Sequence, residues 1–234
     1  MLDLRQIQRR IRTLRSDSNL GPGCVAMHRI FNSTHHNGNV VFNFSPNPID
    51  DLTAFALGYR EAGHVLAGRI AAARGYADYD GYPILFLYRH ALELFLKAIV
   101  YRGAKLVGLI SEETVDTRRL FERHELTRLL PAIRAIFTQM NWDFEALGLD
   151  SYDDFASFIQ TLDSIDPGSY AFRYPINRAG QAHLPRNFVV NVVEFADLMD
   201  NMLRFLEGTV TAIDEHWQAE AEARYELQQL AAEW

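Results

Sequence analysis

The chain is poor in cysteine and in lysine, and it lacks any long uninterrupted apolar run. Its single cysteine, Cys24, excludes an intrachain disulfide framework and any zinc site built from several thiolates, and it fits a reducing compartment. Taken alone, Cys24 reads as an ordinary thiol, buried or partly buried. Lysine occurs only at Lys97 and Lys105, every other basic side chain apart from histidine being arginine. The longest apolar stretch, around residue 84, is broken by Arg89 and His90, so no transmembrane helix is expected. The first residues are charged throughout and carry no secretory signal pattern. These absences predict a cytoplasmic protein without membrane contact. A net charge of -7 argues against a surface that coats nucleic acid generally, while the clustering of arginine leaves room for a local basic patch. No internal repeat is visible.

What is present is enough apolar material for one good-sized core: 234 residues, 48% hydrophobic and 23% charged. The chain reads as an extension over 1–47, a helical domain over 48–217 and a polar helical tail over 218–234. In the extension, Leu4, Ile7, Ile11 and Leu14 stand at helical spacing among Arg5, Arg9, Arg10, Arg12 and Arg15. That pattern is a basic amphipathic helix suited to docking, to dimerisation or to an anionic surface. Residues 16–47 are a long connecting loop with a short apolar run at Val40, Val41 and Phe42. His28, His35 and His36 lie there without acidic or cysteine partners at ligand spacing, so no metal is expected.

The segment Tyr82–Tyr101 reads as the central helix. Pro83 suits a first helical position, and Arg102-Gly103 supplies a cation and a stop. At about 100° per residue, Glu93, Lys97 and His90 fall within about 100° of Arg89, so the polar residues share one stripe and the rest of the circumference is apolar. Two readings of the stripe stand side by side. Either it is a solvent strip with weak ion pairs at four-residue spacing, or it is buried in a groove where the charges must satisfy one another.

Around it, helices are expected at 47–74, opened by Asn47 and Pro48, then at 111–122, 124–140 and 150–164, and over 185–217. Between the last two lies an irregular stretch, 166–183, rich in aromatic and basic residues. Loops that carry Arg, Tyr and His between rigid helices are where function concentrates. One reading gives Tyr170, Phe172 and Tyr174 to base stacking and Arg173 to a phosphate. The other packs Phe172 and Tyr174 onto the bundle and pairs Arg173 with Glu93.

Three segments carry a family resemblance: Phe86–Ala98, with Ala91-Leu92-Glu93 followed by Leu96-Lys97; His124-Glu125-Leu126-Thr127-Arg128-Leu129-Leu130; and Ser169–Pro175. Together they resemble bacterial HEPN-like domain proteins over about residues 50–217. The resemblance implies an all-α, antiparallel helical bundle of four to five core helices with an irregular N-terminal extension, commonly a homodimer. It also implies an effector of a prokaryotic defence or toxin–antitoxin system, with an antitoxin or defence partner protein and RNA or a nucleotide as ligand. Active members are metal-independent endoribonucleases and need no cofactor. Their signature, an Arg four to six residues before a His near the last bundle helix, is met by Arg178 and His183, with Ala179 where the family has a polar residue. Arg118 or Arg119 with His124 also meets the spacing, ahead of an earlier helix. In this reading His183 is the base and Arg178 a phosphate ligand. A catalytically silent module would instead bind through Arg89, His90, Glu93, Lys97, Tyr170, Arg173 and Tyr174.

Overall fold

In the computed structural model, the described residues are 40, 45–72, 77–108, 117–144 and 151–232. The expected arm helix at 1–15, the apolar run at 40–42 apart from Val40, and the start of the helix expected at 111 lie outside them. Among the described residues the regular structure is helical: α1 Leu52–Ala72, α2 Gly81–Leu106, α3 Thr117–Glu122, α4 Leu130–Met140, α5 Tyr152–Ile165 and α6 Val192–Ala232. The chain is therefore all-α, a helical bundle, and Ser45–Trp234 form one compact unit.

Helix α2 is the axis of this unit. It packs against α1, α6 and α4, while α1 also packs on α6. Ile84, Tyr88, Leu92, Phe95, Leu96 and Ile99 are all buried, as the nearly continuous apolar circumference requires. The helix runs four residues past the expected stop at Arg102, through Gly103. A Cβ on Gly103 would stand 2.8 and 2.9 Å from two atoms of the Ile136 side chain, so glycine here serves close approach to α4 rather than termination. The stop comes instead at Gly108, with φ of 70°.

Other boundaries moved for similar local reasons. Residues 47–51 form overlapping turns, Asp50, Asp51 and Leu52 each donating to the carbonyl three residues back, and α1 takes over at Leu52. The helix expected over 124–140 opens as a 3-10 turn at Leu126–Leu129 before α4 begins. Pro131 explains this: it has no N–H to give Thr127, so an α-helix could not run through from 124. The last helix starts at Val192 rather than near Pro185, because Asn187 adopts φ of 58° and Asn191 Oδ1 accepts from the amides of Val193 and Glu194 as an N-cap. It then continues unbroken through the Ala- and Glu-rich tail.

Replacing Gly103 with valine is expected to lower stability by about 1–3 kcal/mol through overpacking against Ile136. Urea unfolding of Gly103→Val and of the Gly103→Val/Ile136→Ala pair checks this, the second change restoring part of the loss.

Candidate functional site

The polar stripe of α2 is not a solvent strip. Arg89, Glu93 and Lys97 are 0%, 1% and 3% exposed, so three charged side chains lie inside the protein. Such groups persist only when paired and hydrogen-bonded. Arg89 makes four hydrogen bonds accordingly. Its Nε donates to Asp166 O at 3.1 Å, Nη1 to Glu93 Oε2 at 3.2 Å, and Nη2 to His124 O at 2.8 Å and to Asp163 Oδ1 at 3.4 Å. Asp166 Oδ2 adds an ion pair to Nε at 3.4 Å, too oblique for a hydrogen bond.

The two aspartates pass the constraint on. Asp163 Oδ2 accepts from the Thr127 amide and hydroxyl at 2.8 and 2.9 Å, which anchors the 3-10 turn before α4. An acid at the C-terminal end of α5 opposes the helix dipole, and Arg89 offsets it. Asp166 Oδ1 accepts from the amides of Tyr170 and Ala171 at 2.7 and 2.9 Å, which folds the aromatic loop back onto the bundle. One guanidinium thus ties α2, the 123–127 segment, α5 and the 166–171 loop together.

Glu93 closes the other end of the network. Its Oε1 accepts from Lys97 Nζ at 2.7 Å and faces His124 Nδ1 at 2.8 Å. Burial pushes this carboxyl up, but Lys97 and His124 outweigh burial and hold it below the usual carboxylate range. Counting formal charges, Arg89 and Lys97 give +2 and Glu93, Asp163 and Asp166 give -3, so these five buried side chains sum to -1. His124 is the one member that reaches solvent, its side chain 39% exposed.

His90, the fourth residue of the stripe, turns away from this network. Its ring stacks on Phe86 at 5.6 Å and meets Tyr59 edge-on at 4.5 Å. Burial, partly opposed by Glu93 and assisted by Arg173, pushes His90 below the ordinary histidine value, so it is held neutral. The aromatic loop divides into two parts. Phe172 is buried and packs the loop, whereas Tyr170 and Tyr174 are 42% and 53% exposed. Arg173 makes no ion pair with Glu93, whose oxygens are already taken. Its guanidinium instead lies 5.3 Å from the Phe86 ring centre, 5.0 Å from that of Tyr170 and 5.8 Å from that of Tyr174, and its Nε donates to Ser169 O at 2.5 Å.

Arg178 and His183 occupy a small turn beyond this patch. Ile176 and Ala182 form an antiparallel bridge, and Asn177 Oδ1 accepts from the amides of Ala179 and Gln181. Arg178 lies exposed in the turn itself, and His183 lies one residue past the bridge, partly exposed. Among the described residues, neither side chain is joined by a hydrogen bond or ion pair to the Arg89 network. The structure therefore assembles Arg89, Glu93 and Lys97 in one cluster, His90, Tyr170, Arg173 and Tyr174 in a second patch, and leaves Arg178 and His183 apart from the first.

Sequence reasoning missed Asp163, Asp166 and the role of His124 in the network. The only signal for the first two was a pair of acids three residues apart at a helix end, which by itself is ordinary. No described helix is long and apolar enough to cross a membrane, and no group of three or more metal-ligating side chains occurs among the described residues. The chain matches no protein-family model, no curated protein and no solved structure.

The sign of the Glu93 contribution follows from its lowered pKa. The group stabilises the fold fully above the ordinary carboxylate range, and the contribution fades as pH falls through its folded-state value. Wild-type stability should accordingly fall on acidification from pH 5 to pH 3, and Glu93→Gln should be less stable at pH 7 with a shallower acid limb. Chemical denaturation at pH 3, 5 and 7 checks both slopes.

Proposed function

We propose that this protein is a HEPN-like helical module that acts on RNA, binding an unpaired strand at the Arg173 patch. The observation that carries this reading is the exposed guanidinium of Arg173 over Phe86, Tyr170 and Tyr174. Stacked rings accept bases of any sequence, and an arginine among them supplies a forked donor for the neighbouring phosphate. The buried stripe supports the same reading in a different way. Its charges are spent on one another, so the ligand-facing groups are those left at the rim. The family resemblance of the α2, 124–130 and 169–175 segments supplies the rest: an effector of a prokaryotic defence or toxin–antitoxin system, homodimeric, with an antitoxin or defence partner, working in the cytoplasm without a cofactor.

Metal-independent cleavage is the second reading, favoured by the exposure of Arg178 and His183 on the turn that follows the patch. In it His183 takes the 2′-hydroxyl proton and Arg178 steadies charge on the phosphate.

Fluorescence anisotropy with a single-stranded RNA oligonucleotide tests the binding reading. Arg173→Ala should weaken binding at least tenfold, and Tyr170→Ala and Tyr174→Ala by about 5- to 150-fold each, the range expected for a lost stacking partner, with unchanged melting temperatures. Equal affinity in wild type and Arg173→Ala would remove the patch from the function. Incubation in EDTA beside Arg178→Ala and His183→Ala tests the cleavage reading, and cleavage untouched by both removes that pair.

A further inference from the structure

The last stretch of α6 lies open to solvent, yet its sequence keeps the pattern that the bundle buries. In the packed part of the helix, Ala196, Met199, Leu203, Leu206, Val210 and Ile213 are all buried, and they alternate at spacings of three and four residues, as in the heptad seam of a coiled coil. The same alternation continues without a break to Trp217, Glu220, Arg224, Leu227 and Ala231. Here, however, every residue from 215 to 231 is exposed, so about 25 Å of helix holds its seam open, with Trp217 39% and Leu227 66% exposed. Beyond Trp217, the side-chain contacts among the described residues are one Arg224–Glu220 ion pair at 3.1 Å and a hydrogen bond from Gln229 to the Tyr225 hydroxyl at 3.0 Å. Such local pairs add only a few tenths of a kcal/mol each, and helices in water owe most of their stability to packing along one face.

The charges on the open seam select the partner and its direction. Glu220 and Arg224 are the only charged residues on it. Glu215, Glu222 and Glu226 fall off the seam, and the flanking Ala221, Ala223, Gln228 and Leu230 are neutral. A second copy of the segment laid antiparallel, centred on residue 222, sets Trp217 against the partner's Leu227 and Glu220 against the partner's Arg224. Two-fold symmetry repeats both pairs, so each charge meets its opposite and each exposed apolar residue meets another. A parallel pair would set Glu220 against Glu220 and Arg224 against Arg224, and like charges exclude it. One polar pair inside an apolar seam fixes register and orientation in this way.

We infer that residues 217–231 of α6 are a dimerisation surface whose occupant is the same segment of a second copy of this chain, running antiparallel. The inference rests on the reading above only for the expectation of a homodimer; the segment, the register and the direction come from α6. Antiparallel pairing brings the partner's Ala231 opposite Ile213, where the seam enters the bundle. The two bundles then stand at opposite ends of one shared rod, about 27 Å apart along the axis from one Ile213 to the other, and the dimer is elongated.

Sedimentation velocity of the full chain over a wide range of concentrations reads the association, and amide exchange in α2 reports that each variant keeps its bundle. Wild type should form an elongated dimer as concentration rises. Glu220→Arg and Arg224→Glu each set like charges against one another across the antiparallel seam, and Leu227→Asp removes its apolar contact. Each should weaken the dimer at least tenfold while α2 keeps its protection. Glu220→Arg/Arg224→Glu restores opposite charges and should return the affinity to within about threefold of wild type. A wild type that stays monomeric at every concentration overturns the inference together with the homodimeric part of the reading above. A dimer that Glu220→Arg and Leu227→Asp leave intact, or that the double reversal fails to restore, overturns the inference alone and leaves a homodimer built on another surface.

Discussion

Everything ordered around α2 depends on keeping one buried guanidinium satisfied. Arg89 has no solvent to fall back on, so its donors need acceptors, and these come from α2 itself, from the 123–127 segment and from the end of α5. Satisfying it sets the end of α5, the start of the turn before α4 and the fold of the aromatic loop at once. Removing one partner of such a set typically costs about 3–5 kcal/mol, because the remaining charges are left unpaired. A well-packed apolar core could supply comparable stability without charges. What the charges add is position, since hydrogen bonds fix the 123–127 segment and the 166–171 loop in places that apolar packing would leave degenerate.

That division explains where chemistry is available. The three stripe residues that look functional in the sequence are internal, and their work is to aim others. Phe86 and His90 carry the stripe to the surface at one end, where Arg173 lies on three aromatic rings. His124 carries it out at the other, still bonded to Glu93. Phe86, His90 and Glu93 all lie on α2, so one helix sets the spacing between the two rims.

The helical architecture was legible because its signals are local. Apolar residues wrapping α2 demand burial on several sides, and the structure packs that helix against α1, α4 and α6. Boundaries were less legible where a residue has two possible roles. Gly103 looked like a stop and proved to be a contact, and Pro185 looked like a start although Asn187 and Asn191 delay the helix. The polar stripe was legible as a set, but not its partners. Asp163 and Asp166 meet Arg89 across more than 70 residues of sequence, and no periodicity announces a contact made only in three dimensions. The same limit explains Arg173: its charge suggested an acid, but Glu93 was already filled by Lys97 and His124.

The claim that Arg89 couples these parts is tested most directly by amide hydrogen exchange in wild type and Arg89→Met. The amides of Thr127, Tyr170 and Ala171 donate to the two aspartates that Arg89 holds. If the guanidinium is the common anchor, all three should lose protection together in the variant, while amides in the middle of α1 and α6 keep most of theirs. Protection of Thr127 changing independently of Tyr170 and Ala171, or all three remaining as in the wild type, would contradict it.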